Sequence, residues 1–244
     1  MQKPDATSDA LRRIKIFADG ASLPALLELA QNPAIAGFTT NPTLMRKAGV
    51  KDYRAFAREA LAHIVKKPIS FEVFADDFAE MNRQARAIAA WGDNVYVKIP
   101  ITNTKGESSA PLVRELTAAG VKVNVTALCT LGQVHETAQA LAGGAPSVIS
   151  VFAGRIADTG RDPVPLMRAA LEMCGAADRK IELLWASPRE LLNLIQAAEV
   201  GCHIITVTPD LLKKLELVGK DLGEFSLDTV KMFHRDAADA GYEL

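Results

Sequence analysis

Cysteine is scarce in this chain of 244 residues, and the cysteines present lie far apart. Cys129, Cys174 and Cys202 are odd in number and form no C-x-x-C pair, which argues against a disulfide framework and a zinc site. The histidines are equally scattered, and none is grouped with a carboxylate at metal-ligand spacing. We therefore expect reduced core thiols and no metal ion.

A surplus of one sign of charge is also missing, because 28 Lys and Arg oppose 29 Asp and Glu. This balance argues against both a nucleic-acid-binding surface and an acidic disordered tail. The uncharged residues 137–154 contain Gly143, Gly144 and Pro146, a pattern typical of a helix end, a turn and a strand. The N-terminal segment lacks the apolar stretch of a signal peptide. We expect a cytoplasmic protein without nucleic-acid or membrane partners.

The familiar glycine motifs of nucleotide-binding proteins and serine hydrolases are absent. No GxGxxG, GxxxxGK[ST] or GxSxG string occurs, so dinucleotide, P-loop and serine-hydrolase functions have no support. With 49% hydrophobic and 23% charged residues, the composition is that of an ordinary globular protein.

Eight short β-rich runs are spread along the chain with helical patterns between them. Their centres lie about 21 to 33 residues apart, which leaves room for one helix and two loops in each interval. Eight such units in about 250 residues favour an α/β fold of the closed (β/α)8 TIM-barrel type. The runs are 14–20, 36–41, 68–74, 95–101, 121–128, 147–154, 181–187 and 202–208.

No linker or shift in composition divides the chain. We assign residues 1–13 to an N-terminal extension, 14–225 to the barrel and 226–244 to an additional amphipathic helix. That helix either covers its own barrel or packs on a neighbouring subunit. At the seventh run, Ser187 and Pro188 are typical of an N-cap and a first-turn proline, which places the start of the following helix there.

Catalytic groups of (β/α)8 barrels lie at the carboxyl ends of the strands, so polar residues that end apolar runs are the informative ones. Lys98 is the most unusual, because the run VYVKIPI surrounds it with apolar residues. Tyr96, Lys98 and Pro100 share one strand face. If that face is the barrel interior, the loss of hydration favours a neutral, nucleophilic amine. The alternatives are a lysine that reaches the rim or one that pairs with a carboxylate.

Two carboxylates, Asp19 and Glu72, end the first and third runs. A buried carboxylate is unfavourable unless a cation or hydrogen bonds accompany it. Together with Lys98 they are suited to acid and base steps around a carbonyl group, although a purely structural ion pair has the same pattern.

Other polar residues end the remaining runs. The arginines Arg155 and Arg189 follow the sixth and seventh runs, where barrels commonly bind phosphate, although a surface arginine is more often only solvated. The uncharged candidates are Asn41, Asn124, Thr126, Ser150 and Ser187.

Several segments resemble the transaldolase family, in particular its short members, which include enzymes similar to fructose-6-phosphate aldolase. They are IFADGAS, GFTTNPTL, FEV, VYVKIPIT, VNVTAL and ASPR, and they extend from about residue 14 to residue 208 in the family's order. The resemblance implies that Lys98 is a Schiff-base lysine and that Asp19 takes the proton from the substrate's C4 hydroxyl. It also implies that Glu72 and Thr126 handle a catalytic water.

The resemblance assigns the remaining candidates to substrate binding. Asn41 and Asn124 would bind hydroxyls or orient the intermediate, and Ser150 would belong to the same polar lining of the substrate site. Arg155, Ser187 and Arg189 would bind phosphate. The aldolase branch of the family typically has Gln in place of Glu72 and Tyr in place of Phe152. The residues found here favour group transfer over simple cleavage.

The implied reaction transfers a dihydroxyacetone unit from sedoheptulose 7-phosphate or fructose 6-phosphate to an aldose phosphate, without a cofactor. A homo-oligomer is expected, because short relatives often form rings. Two alternatives stay open: a fructose-6-phosphate aldolase and a non-catalytic barrel that binds phosphosugars. Gly20, where the family usually has Thr, and Pro188, where long members have Phe, are the departures that keep the last alternative open.

Overall fold

Eight parallel strands close on themselves to form a barrel. The computed structural model describes residues 11–243; residues 1–10 of the predicted extension and Leu244 lie outside them. Each strand pairs with the next, and β8 pairs with β1, so the predicted (β/α)8 barrel is confirmed. The strands are β1 (Lys15–Asp19), β2 (Ile35–Thr39), β3 (Ile69–Glu72), β4 (Val95–Pro100), β5 (Val123–Leu128), β6 (Ser147–Val151), β7 (Ile181–Trp185) and β8 (Ile204–Val207).

Helices follow the strands and cover the outside of the barrel. They are α1 (Leu23–Ala30), α2 (Pro42–Lys47), α3 (Tyr53–His63), α4 (Phe78–Ala89), α5 (Ala110–Ala118), α6 (Leu131–Leu141), α7 (Ala153–Ala157), α8 (Val164–Ala177), α9 (Leu192–Val200), α10 (Pro209–Lys213) and α11 (Leu222–Ala240). A short 3₁₀ turn, Lys214–Leu217, separates α10 from α11. None of the helices in residues 11–243 has the length and apolar character that a membrane-spanning helix requires.

The C-terminal helix α11 starts at Leu222, before the predicted start at Ser226. The Asp221 side chain accepts a hydrogen bond from the backbone N–H of Glu224, which sets this start. None of the side chains described in α11 is buried, and Leu227, Val230 and Phe233 are exposed. The expected assembly with other copies stays a prediction.

Side chains on the two faces of each strand have different surroundings. Those that point outward, such as Val97 and Ile149, are fully buried under the helices in the main core. Phe17, Val148 and Ile204 point inward and form a small apolar cluster that fills the barrel. Because side chains alternate along a strand, the next inward positions toward the carboxyl ends are polar. The barrel interior thus has an apolar layer of Phe17, Val148 and Ile204, which we call the apolar floor, below a polar layer.

The cysteines are free thiols. Cys174 and Cys202 are buried, as predicted for core thiols, whereas Cys129 is only partly buried. Burial raises the pKa of the Cys174 and Cys202 thiols to about 12, which keeps them protonated and unreactive.

The predicted N-cap at Ser187 is wrong. Ser187 has a left-handed backbone with φ of 62°, and α9 starts only at Leu192. The Asn193 side chain accepts hydrogen bonds from the backbone N–H groups of Arg189 and Glu190, at 2.7 Å and 3.2 Å. These amide groups are therefore satisfied from within the helix, and Ser187 is left at the cavity rim.

Gly37 tests the packing of the apolar floor. A Cβ atom at this position would lie 2.6 to 2.8 Å from three atoms of the buried Phe17 ring. We expect Gly37→Ala to lower the free energy of unfolding by about 1–3 kcal/mol, measured by urea denaturation. Adding Phe17→Leu makes room, so the double variant should lose less than the sum of the single effects.

Gly175→Ala is the matched control for this double-mutant cycle. Gly175 lies in α8, and a Cβ atom added there would have no neighbouring atom within 4 Å, so alanine should raise stability by about 0.5–1 kcal/mol. Additive effects of the Gly37 and Phe17 substitutions would contradict the proposed contact.

Candidate active site

A cavity of about 490 Å³ opens at the carboxyl ends of the strands. All but one of the residues predicted from the sequence line it, although they come from seven separate parts of the chain. The predicted residues at the cavity are Asp19, Asn41, Glu72, Lys98, Thr126, Ser150, Phe152, Arg155, Ser187 and Arg189. The exception, Asn124, lies beneath it.

Lys98 is inside the barrel, with 6% of its surface exposed. Its Nζ donates a hydrogen bond to the Thr40 carbonyl oxygen at 3.0 Å and lies 3.4 Å from Glu72 Oε2. The register of the sheet explains the second contact, because Lys98 of β4 is directly opposite Glu72 of β3. Lys98 therefore does not reach the rim, and it pairs with a carboxylate that faces the same cavity.

The two carboxylates of the site are shielded from water. Burial raises the pKa of Glu72, although the nearby charge of Lys98 opposes this effect. Burial likewise raises the pKa of Asp19 above its ordinary value, against the Lys98 charge and a hydrogen bond from Thr39 Oγ1 at 2.8 Å. Both groups can therefore accept or release a proton more readily near neutral pH than an exposed carboxylate.

Glu72 is also held through its backbone. The Tyr53 hydroxyl donates a hydrogen bond to the Glu72 carbonyl oxygen at 2.9 Å. The Tyr53 ring packs edge-on against Phe71 and Phe74 and is tilted against Trp91. An aromatic cluster outside the barrel thus fixes the strand end that carries the carboxylate.

Asn124 joins three strands below the cavity. It is fully buried; its Nδ2 donates to Ser70 Oγ at 3.1 Å, and its Oδ1 accepts from Ser150 Oγ at 2.7 Å. Thr126, the next inward residue of β5, is different, because its buried Oγ1 has no hydrogen-bond partner within residues 11–243. A buried hydroxyl without a partner beside a cavity is available to a ligand or a water.

Two arginines stand at the exposed rim. The Arg155 guanidinium lies over the Phe152 ring, 5.6 Å from its centre. Arg189 forms an ion pair with Asp158, in which its Nε donates to Oδ1 at 3.0 Å. The sequence predicted both arginines at this edge but gave no indication of the Asp158 partner.

Gly154 brings these two rim segments together. A Cβ atom on Gly154 would lie 1.6 Å from the Ser187 carbonyl oxygen, so the approach requires glycine. Ser187 itself has a left-handed backbone, as does Ala127, and both line the cavity. Among the described residues other than glycine, only these two have positive φ, and such backbone strain clusters at functional sites.

Sequence reasoning missed Thr39, Thr206 and Lys47, which also line the cavity. The sequence did contain a signal for the two threonines, because both are polar residues near the ends of apolar runs. Thr206 is the inward polar residue near the end of the eighth run. Thr39 is the last residue of β2, two positions before Asn41. Lys47 is at the end of α2, so its approach to the cavity depends on how that helix folds back.

The Asn124 network leads to a stability prediction. Ser150→Ala removes the donor to a fully buried oxygen, which should cost about 1–3 kcal/mol of unfolding free energy in urea denaturation. Thr137→Val is the control, because Thr137 is equally buried on α6 and its hydroxyl is unpartnered among the described residues. Replacing that hydroxyl with a methyl group should leave stability unchanged or higher. Equal losses in the two variants would show that the Asn124 contact is unimportant.

Comparison with known proteins places this architecture in one family. The sequence model of the family described as "Transaldolase/Fructose-6-phosphate aldolase" matches residues 16–244. The chain is 36% identical to "Probable transaldolase 2" of Listeria monocytogenes over 202 residues, which cover 83% of this chain and 88% of that one. It is 36% identical to "Probable transaldolase" of Clostridium acetobutylicum, with 83% and 89% covered. For "Probable transaldolase" of Chelativorans sp. the identity is 35%, with 89% and 97% covered. The chain therefore belongs to the transaldolase/fructose-6-phosphate aldolase family.

Proposed function

We propose that this chain is a class I transaldolase that moves a dihydroxyacetone unit from a ketose phosphate to an aldose phosphate. The observation that carries the proposal is the placement of the Lys98 amine inside the barrel, 3.4 Å from Glu72 Oε2 and in the same cavity as Asp19. Sedoheptulose 7-phosphate and fructose 6-phosphate are the proposed donors, with glyceraldehyde 3-phosphate and erythrose 4-phosphate as acceptors.

The first stage joins the substrate to Lys98. Glu72, whose pKa is raised by burial, takes a proton from the Lys98 ammonium and leaves a neutral amine. The amine nitrogen bonds to C2 of the ketose, and the carbonyl oxygen becomes the hydroxyl of a carbinolamine. Protonation by Glu72 releases that hydroxyl as water and forms the iminium. The free hydroxyl of Thr126 is suited to hold this water.

The second stage breaks the bond between C3 and C4. Asp19 takes the proton of the C4 hydroxyl, the C4 oxygen forms a carbonyl, and the electron pair of the broken bond moves to the iminium nitrogen. An aldose phosphate leaves, and a three-carbon enamine stays on Lys98. Attack of this enamine on the acceptor aldehyde and hydrolysis of the new iminium complete the transfer.

We assign phosphate binding to the two rim arginines. Arg155 is stacked over Phe152, and Arg189 is oriented by Asp158, so both guanidinium groups are positioned before a ligand arrives. The cationic rim stands above the buried amine. This arrangement suits a substrate with a carbonyl near one end and a phosphate at the other.

Covalent trapping tests the lysine assignment. We expect borohydride with fructose 6-phosphate to attach a sugar fragment to the peptide that contains Lys98, detected by mass spectrometry. Lys98→Ala should lose both the adduct and turnover while it keeps its fold, as judged by circular dichroism. An adduct on Lys47, the other lysine at the cavity, or an active Lys98→Ala variant would refute the assignment.

Product analysis separates transfer from simple cleavage. Because Glu72 and Phe152 occupy the positions where the aldolase branch has Gln and Tyr, we expect little free dihydroxyacetone from fructose 6-phosphate alone. Adding erythrose 4-phosphate should produce sedoheptulose 7-phosphate and glyceraldehyde 3-phosphate, and Glu72→Gln combined with Phe152→Tyr should shift the products toward free dihydroxyacetone. Rapid release by the unaltered protein would instead identify an aldolase, and binding without any turnover would identify a non-catalytic barrel.

A further inference from the structure

Thr206 is a cavity residue that the reaction steps above do not use. It lies on β8 with 6% of its surface exposed, and its Oγ1 is 2.5 Å from Thr39 Oγ1 on β2. Thr39 Oγ1 is in turn 2.8 Å from Asp19 Oδ1 on β1. Strand β1 lies between β8 and β2 in the barrel. The two hydroxyls therefore form a hydrogen-bond chain inside the barrel, from Thr206 through Thr39 to the Asp19 carboxylate.

The donor and acceptor roles in this hydrogen-bond chain follow from the number of protons on each group. A threonine hydroxyl has a single proton to donate, and an ionised carboxylate can only accept. When Asp19 is ionised, the Thr39 proton points to Asp19, so the bond between the threonines requires Thr206 to donate to Thr39. Each bond polarises the next, and both therefore favour the charged form of Asp19.

We propose that Thr206 is a positioning residue for carbon–carbon bond cleavage, which holds the Thr39 hydroxyl in the orientation that keeps Asp19 ready as a base. This inference rests on the proposed function. It assigns Thr206 to the second stage of the reaction and gives it no part in forming the Schiff base at Lys98.

The charges around Asp19 set the direction of the expected pH effect. Lys98 of β4 and Glu72 of β3 face Asp19 from inside the barrel, and Lys47, Arg155 and Arg189 line the rim of the same cavity. Burial raises the pKa of Asp19, whereas the Lys98 charge and the Thr39 hydrogen bond lower it. Without Thr206, the Thr39 proton is free to turn away, so the pKa of Asp19 should rise further.

The consequence is a shift of the acidic limb of the rate profile. The base must be ionised to take the C4 proton, so activity falls as the pH drops through the pKa of Asp19. A higher pKa moves that limb to higher pH. Thr206→Val, which keeps the shape and removes the hydroxyl, should therefore show a shifted limb, whereas Thr206→Ser should restore it.

The decisive experiment separates the two stages of the reaction. Unaltered protein, Thr206→Val and Thr206→Ser are mixed with fructose 6-phosphate, quenched with borohydride at short times and analysed by mass spectrometry. Cleavage before quenching leaves a three-carbon adduct on Lys98, whereas uncleaved substrate leaves a six-carbon phosphorylated adduct. We expect Thr206→Val to accumulate the six-carbon adduct and to lose about tenfold to a hundredfold in kcat, with KM little changed.

Thr137→Val is the matched control for these measurements, because it removes another buried threonine hydroxyl, on a helix outside the barrel. It should leave both the kinetics and the adduct unchanged. If Thr206→Val changes neither kcat nor the acidic limb of the pH–rate profile, the inference is wrong. A folded Thr206→Val that forms no adduct would also overturn it, because Thr206 would then act on the first stage. If Thr206→Val does not fold, Thr206→Ala is judged by the same readouts. Absence of any adduct in the unaltered protein would refute the proposed function itself.

Discussion

The contact between Lys98 and Glu72 in the barrel interior is the constraint on which the site depends. Removing an ammonium and a carboxylate from water is unfavourable, and a single ion pair recovers only part of that cost. The Thr40 carbonyl supplies a second partner to the amine, and Tyr53 holds the strand end that carries Glu72. Two apolar side chains at these positions would avoid the cost of removing charges from water. The presence of Lys98 and Glu72 is therefore better explained by the proposed chemistry of the amine than by stability.

The interior of the barrel supports this pair in layers. Phe17, Val148 and Ile204 fill the lower part, and the absence of a side chain at Gly37 makes room for the Phe17 ring. Above them, the fully buried Asn124 links neighbouring strands through hydroxyl groups. Lys98 and the carboxylates beside it therefore lie above a layer of buried side chains, which limits how far water can approach them from below.

Much of the barrel and of the site around Lys98 follows from local patterns in the sequence. Eight apolar runs at regular spacing predicted the barrel, and alternation along VYVKIPI predicted that Tyr96, Lys98 and Pro100 share one strand face. The structure shows that Lys98 lies inside the barrel. The same alternation applies to Thr206, so its inward position was within reach of the sequence. Features that depend on contacts between distant segments were not predictable. Three contacts depend on how loops fold back. They are the ion pair of Arg189 with Asp158, the close approach of Gly154 to the Ser187 carbonyl oxygen, and the hydrogen bonds of Asn193 to the backbone before α9.

In the proposed reaction, the interior and the rim of the barrel therefore have different roles. Arg155 and Arg189 are exposed, so salt and water screen their attraction for an anion, and the direction of each guanidinium matters more than its charge alone. Phe152 and Asp158 set that direction, and Gly154 allows the two rim segments to approach each other, because a Cβ atom there would overlap the Ser187 carbonyl oxygen. Inside the barrel, low exposure strengthens every charge and hydrogen bond around Lys98 and Asp19. Under the proposed function, changes in the interior should consequently alter the rate of bond making and breaking, whereas changes at the rim should alter which phosphorylated sugar binds.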